Sequence, residues 1–314
     1  MYYPYFYAQR VELASVCEVA ASTSANSKIT PILEPAVKSP GDLSRSIDAL
    51  ASGGAATYLI LNPNLGDFKT AGNVKPWLDS IQKNPNFTKV IIPTFLIDKG
   101  LAIIDLEQFL KRYSGEIGIV IRYPSIPSDV LANKLADRIA AKQVIVFLHQ
   151  RSNPQQYEST LGKKNTIQIV ESFNVQPTNA DYSDPEWLTS GHLSFKTEGR
   201  HGFSDFAVLR PGLAGGWTPP VVVSHMTYEQ TDKSLWVQHF LSAKPPIPDA
   251  KASDKILEVA QKIETEKERF PQKFVRTPGI VGYETILLNG KHTSLSKNKQ
   301  FQVTHHLFTV ANLI

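Results

Sequence analysis

The chain has 314 residues, 42% of them hydrophobic and 20% charged, an ordinary length for one α/β barrel and enough apolar material to fill a packed interior. Its formal net charge of +4 is carried by Lys251 to Gln300, where ten Lys/Arg stand against six Asp/Glu, a mild excess that reads as a solvated face rather than a nucleic-acid patch. The one cysteine, Cys17, excludes an internal disulfide and fits a reducing cytoplasm; no apolar run nears the ~18 residues of a membrane span, and Glu12 and Glu18 interrupt any secretory leader.

The opening Tyr2-Tyr3-Pro4-Tyr5-Phe6-Tyr7 brings a large apolar area and is expected to pack across the bottom of the fold. A short apolar strand then recurs, ending each time on a polar residue. ITPILE closes on Glu34 and TYLILN on Asn62; IGIVIR ends on Arg122, VIVFLH on His149 and IQIVE on Glu171. Lys89–Phe95 supplies one further strand, making six. Continuous apolar strands of this kind are covered by helices on both faces. The intervening segments have helical spacing. Ser39–Leu50 carries Leu43, Ile47 and Leu50 on one face, with Ser39 as an N-cap ahead of Pro40. Val74, Trp77, Leu78 and Ile81 follow the second strand, and helices are expected near Asp105–Arg112, Ser128–Ala141 and Pro154–Leu161.

After Glu171 the rhythm breaks. Residues Ser172 to His201 are rich in Asn, Asp, Ser, Pro and Gly and read as a long loop able to cover the carboxyl face of the sheet. Strand character returns at Phe203–Leu209, Pro220–Tyr228 and Ser234–Leu241, the last two as a hairpin around Gln230–Lys233, and the closing strands are expected among these three. Helices follow at Ser253–Phe270, Pro278–Leu288 and Phe301–Ala311. The fold class expected is a TIM-like (β/α)8 barrel, irregular after the sixth strand, with an open doubly wound sheet as the competing topology. One domain spans 1–314. The barrel proper occupies 1–245 and the C-terminal helices of 246–314 pack on it, with Pro245-Pro246-Ile247-Pro248 as the breakpoint.

Ligands of such folds gather at the carboxyl ends of the strands. Glu34, Glu171, His149 and His225 are therefore the candidates to move protons, and Asn62, Arg122, Asp205 and His239 the candidates to bind a ligand. Arg122 suits an anion. His225 and His239 are expected to come round beside His149 as the barrel closes. No HxH or HExxH spacing is present, so no metal is assigned, and the absence of GxSxG, GxGxxG and P-loop patterns leaves the cofactor unknown.

YYPYFYAQRVELASVCEVA followed by ITPILEP, and later NADYSDPEW, GRHGFSDFAVL, SHMTYEQ and LWVQHF, resemble the phage-associated beta protein family and its bacterial relatives over roughly residues 1 to 245. The resemblance implies a barrel-like α/β fold in a bacterial phage-defence or mobile-element setting, beside a nuclease-like partner gene. It implies no established activity and carries over no catalytic residue. Two functions fit these observations: a hydrolase-type enzyme acting on a small phosphorylated ligand, or a non-catalytic partner that binds or regulates a nuclease-like protein. Small anionic ligands are the expected partners of the first, while nucleic acid and membrane are expected of neither.

Overall fold

The computed structural model describes residues 1–210, 212–213, 219–243, 250–290 and 293–314; the Pro245–Pro248 breakpoint lies outside the described residues. The chain opens with β1 (Tyr5–Phe6), α1 (Arg10–Ala20), α2 (Thr23–Asn26) and β2 (Ile32–Leu33). It continues through α3 (Gly41–Gly53), β3 (Thr57–Ile60), α4 (Val74–Ile81), α5 (Phe87–Val90), β4 (Ile91–Ile97) and α6 (Ile103–Arg112). Then come β5 (Ile117–Ile121), α7 (Ser128–Ala140), β6 (Val144–His149), α8 (Pro154–Leu161) and β7 (Thr166–Val170). The last third holds β8 (Glu186–Thr189), α9 (Gly191–Thr197), β9 (Ser204–Asp205), β10 (Val223–Glu229) and β11 (Leu235–Leu241). Helices α10 (Ala252–Arg269), α11 (Pro278–Asn289) and α12 (Leu295–Leu313) finish it.

Eight strands form one parallel sheet in the order β1-β2-β3-β4-β5-β6-β7-β9. Tyr2 bridges both Ile29 and Phe203, and the Tyr3 amide donates to the Phe203 carbonyl at 2.9 Å, so the last strand returns to the first in a nearly closed barrel. That junction is tight: a Cβ on Gly202 would fall 2.1 Å from the Met1 carbonyl oxygen, so only glycine lets these two backbones meet. The open doubly wound sheet is thereby replaced by the TIM-like topology. The opening aromatic run does not lie across the bottom. It is the first barrel strand, and alternation sends Tyr3, Tyr5 and Tyr7 into the barrel interior, where they pack with Tyr58, Phe147 and Phe206. Phe6, Leu33, Phe95, Ile119 and Val146 take the opposite parity and meet the surrounding helices. Inside, Gly118 makes room for Tyr58, since a Cβ there would stand 2.7 Å from both that ring and the Thr94 hydroxyl.

Local chemistry explains the helix ends. Glu12 reaches back to the Gln9 amide (2.9 Å) to start α1. Gly54 ends α3 in the left-handed region, and Pro154 opens α8. Ser39 does not cap α3; Pro40 occupies the cap position and no side chain bonds there.

The segment after Glu171 is not a structureless cover. It contributes β8, which joins the β10–β11 hairpin in a separate three-stranded antiparallel sheet, and α9. Of the three late strands, only the first supplies a barrel strand, at Ser204–Asp205. Helices α10 and α11 bury Ile256, Val259, Ile263, Ile280 and Tyr283 against Met226, Tyr228 and Phe240 of the small sheet. α12 packs on both α1 and β10 and ties this sheet to the barrel wall.

Candidate functional site

Because Ile32, Ile60, Leu96, Val120, Phe147 and Ile169 point inward, the residues two positions on do the same: Glu34, Asn62, Asp98, Arg122, His149 and Glu171 surround the carboxyl mouth of the barrel. They divide into a buried floor and a partly open rim.

Glu34 forms the floor and is 0% exposed. Its Oε2 accepts from the Tyr5 hydroxyl at 2.6 Å and from the Arg122 guanidinium, while Oε1 has no hydrogen-bond partner. Arg122, with 12% of its side chain exposed, also donates from Nη1 to Asp98 Oδ2 at 2.8 Å and to Asn64 Oδ1 at 3.0 Å; the Asn64 amide donates to that same Asp98 oxygen at 2.8 Å. Burial raises the Glu34 carboxyl above its ordinary value, with Arg122 and the Tyr5 hydroxyl opposing the rise. Arg122 is thus already satisfied by protein carboxylates and is not free to grip a ligand anion. Asn62 is also occupied: its amide donates to the Leu96 carbonyl (2.9 Å) and accepts from the Leu96 amide (2.8 Å), splicing β3 to β4.

The rim is different. His149, at the end of β6, accepts the Arg151 backbone N–H at Nδ1 (3.3 Å), which leaves the ring proton on Nε2. That nitrogen lies 3.2 Å from Glu171 Oε1, off the line of a good hydrogen bond, so the oxygen has no aligned donor. Burial, then the charges of Arg151 and Arg122, pull the His149 pKa down to about 4, so the imidazole is neutral at physiological pH. Glu171 keeps 20% of its side chain exposed and Arg151 keeps 56%, their charged atoms 3.9 Å apart. Arg151 also bonds the Tyr123 side chain, and Lys99 lies 4.4 Å above the Tyr123 ring. Two cations therefore meet at one tyrosine, Lys99 over its ring and Arg151 at its hydroxyl, from the loops that follow β4, β5 and β6, beside a carboxylate–imidazole pair.

Three of the expected site residues lie elsewhere. Asp205 has outward parity and sits between the barrel and α12. Its Oδ1 accepts from the Tyr2 hydroxyl (2.5 Å) and the Ala207 amide (2.8 Å), and Oδ2 has no partner. Burial raises its pKa to about 6. His225 and His239 do not come round to His149, because β10 and β11 are not barrel strands; they face each other across the small sheet with Nδ1 atoms 2.8 Å apart. Sequence reasoning missed Arg151, Lys99 and Tyr123, which each stand two residues past a strand end, and Asp98, hidden because Lys89–Phe95 stops short of it. Among the described residues, no group of three or more His, Cys, Asp or Glu is placed to hold a metal ion, and no helix is long and apolar enough to cross a membrane. A groove of ≈ 660 Å³ lies away from these strand ends, against α1, α11 and α12. Compared with family models, curated proteins and solved structures, the chain matches none.

Proposed function

We propose that the barrel mouth binds a small phosphorylated ligand and that Glu171, backed by His149, moves a proton in a hydrolase-type reaction. The observation that carries this reading is the convergence of Lys99 and Arg151 on Tyr123 beside the Glu171–His149 pair. Phosphate monoesters carry close to two negative charges at neutral pH and are met by cations with N–H donors. A neutral imidazole with its proton on Nε2 can donate, and an adjacent carboxylate can accept, which is the pairing general acid–base chemistry requires. Glu34, Asp98 and Arg122 hold the floor of the mouth rigid and take no proton from the ligand. The resemblance to the phage-associated beta proteins supplies the setting, a bacterial phage-defence or mobile-element system.

Calorimetric titration of a panel of small phosphomonoesters tests the proposal. A ligand should bind wild type, bind at least tenfold more weakly to Arg151→Ala, and bind Glu171→Gln without turnover. Binding that ignores Arg151→Ala and Lys99→Ala together sinks it. The second reading, a partner that restrains a nuclease-like protein, draws on a floor whose charges bind mainly one another and on Val170, Trp187 and Leu193, large apolar side chains left exposed around β7, β8 and α9. Co-purification of a nuclease that Trp187→Ser releases, with no phosphomonoester bound, favours it.

A further inference from the structure

The segment leaving Glu171 is fastened within three residues to the His225–His239 pair. Phe173 packs edge-on against both imidazoles (centroids 4.8 and 6.4 Å), and Tyr182 lies 4.6 Å from each. Asn174 donates to Glu186 Oε2 at 2.9 Å, and Glu186 Oε1 lies 3.2 Å from His239 Nε2. The anchor on the other side is firm: the His225 amide donates to Gln302 Oε1 on α12 at 3.0 Å. Residues 173 to 186 thus leave the barrel mouth and are clamped on a pair of histidines that the proposed chemistry does not use.

Two Nδ1 atoms 2.8 Å apart constrain the protons between them. One nitrogen must donate and the other accept. Glu186 Oε1 is off the line of a good hydrogen bond, but its charge beside His239 Nε2 favours the proton there, so the acceptor is His239 Nδ1 and the donor is His225 Nδ1–H. The pair survives one added proton, which can enter at His225 Nε2. A second added proton leaves two N–H groups and two positive charges in contact, and the bond is lost. The charged and titratable surroundings are Glu186 from β8, Tyr182 from the β7–β8 segment, Lys299 from α12, and Arg210 acting on Tyr182. Among the described residues, Glu186 alone favours the charged imidazoles; burial, the mutual repulsion of the rings and Lys299 oppose charging, and both histidines are held below their ordinary value.

We propose that the His225–His239 pair is a proton-sensitive clamp on the segment that leaves β7, so that the placing of Glu171 at the mouth depends on how many protons the two imidazoles share. The sign follows from linkage: groups held neutral in the fold contribute stability above the free histidine value near 6.5, and that contribution is lost as pH falls. Acidification opens the clamp. The consequence for ligand binding rests on the reading of the mouth given above; the clamp does not.

Amide hydrogen exchange, corrected for intrinsic rates, tests this on the full chain. Between pH 7.5 and 4.5, protection over residues 173–186 should fall at least tenfold relative to the amides of β4, β5 and β6. His239→Gln keeps an N–H beside Glu186 and an acceptor for His225 but cannot itself titrate, so it should hold neutral-pH protection and lose most of the pH response, His225 alone keeping the remainder. His225→Phe should lower protection of the segment at every pH. Protection that is flat with pH in wild type, or that falls equally in His239→Gln, overturns the clamp. Sulfate, whose charge is constant over this range, serves as the anion probe for the mouth. If sulfate binds and weakens in step with the loss of protection, clamp and mouth are coupled. If it binds with no such change, the coupling to Glu171 fails. Sulfate that fails to bind at any pH, with exchange as expected, removes the anion reading and leaves the clamp standing.

Discussion

Arg122→Met is the most informative perturbation of the mouth. Among the described residues Arg122 is the one cation paired with Glu34, whose side chain has no exposure, and it also holds Asp98. Methionine fills similar space and strands both carboxylates. Breaking a buried pair by removing one partner costs about 3–5 kcal/mol, because an uncompensated charge is left behind. An unfolding entropy of about 2.1 cal/mol/K per residue over 314 residues gives about 0.66 kcal/mol/K, so the melting temperature should fall by about 5–8 °C. The loss must depend on pH. Glu34 already has its folded pKa raised by burial, and without Arg122 it rises further, so the penalty develops as pH rises through that value and shrinks when acid protonates the group. Adding Glu34→Gln should recover most of the loss by removing the stranded charge. Denaturant titrations of wild type, both single variants and the double variant at pH 5 and pH 8 measure this. An Arg122→Met cost under 1 kcal/mol, or one identical at the two pH values, would refute the view that the floor is a desolvated ion cluster.

Three further outcomes follow from the same structure. Glu171→Gln should change stability by less than about 0.5 kcal/mol, since the carboxylate is partly exposed and its His149 contact is poorly aligned, while any ligand turnover disappears; denaturant melts and product assays on one preparation separate the two. Asp205→Asn should gain stability relative to wild type as pH rises from 4 to 7, because a folded pKa of about 6 against an unfolded 3.8 makes the ionised form cost about 3 kcal/mol, offset by about 1–3 kcal/mol for an unpaired amide; equal pH dependence in the two proteins would contradict it. Gly118→Ala should cost about 1–3 kcal/mol by driving a methyl into Tyr58 and Thr94 within the barrel, and an unchanged denaturation midpoint would show that this layer can yield.

Much of the barrel was legible because buried parallel strands leave an unmistakable trace. Val144–His149 and Pro154–Leu161 are read from the sequence with the bounds the structure gives, and Glu34, Arg122, His149 and Glu171 do share one mouth. What the sequence hid has physical causes. Tyr5–Phe6 is only two residues long, too short to register as a strand despite the strand preference of its aromatics; its pairing with β2 and the Tyr2 bridges make it one. β8 sits in a polar stretch and is held by pairing with β11, a contact across about fifty residues that no local pattern records.

The same limit applies to the site, and it bears on where the chemistry resides. Period-two alternation tells which strand-end residues face inward, but not which are spent on each other. Glu34, Arg122 and Glu171 are site candidates from the sequence because charge at the end of an apolar strand is costly. The structure meets most of that cost internally: Tyr5 and Arg122 bond Glu34 Oε2, Asp98 and Asn64 bond Arg122, and only Glu34 Oε1 is left without a partner in a floor almost closed to solvent. Charges bound mainly to one another and shut away from solvent have little left to offer a ligand. The groups with unspent capacity are those one layer further out: Glu171 with an oxygen lacking an aligned donor, His149 with its proton turned outward from its backbone contact, and Arg151 with half its side chain in water. A strand-end ion cluster that locks the mouth and a looser carboxylate–imidazole pair resting on it are complementary requirements, since proton transfer needs groups held in place without being neutralised.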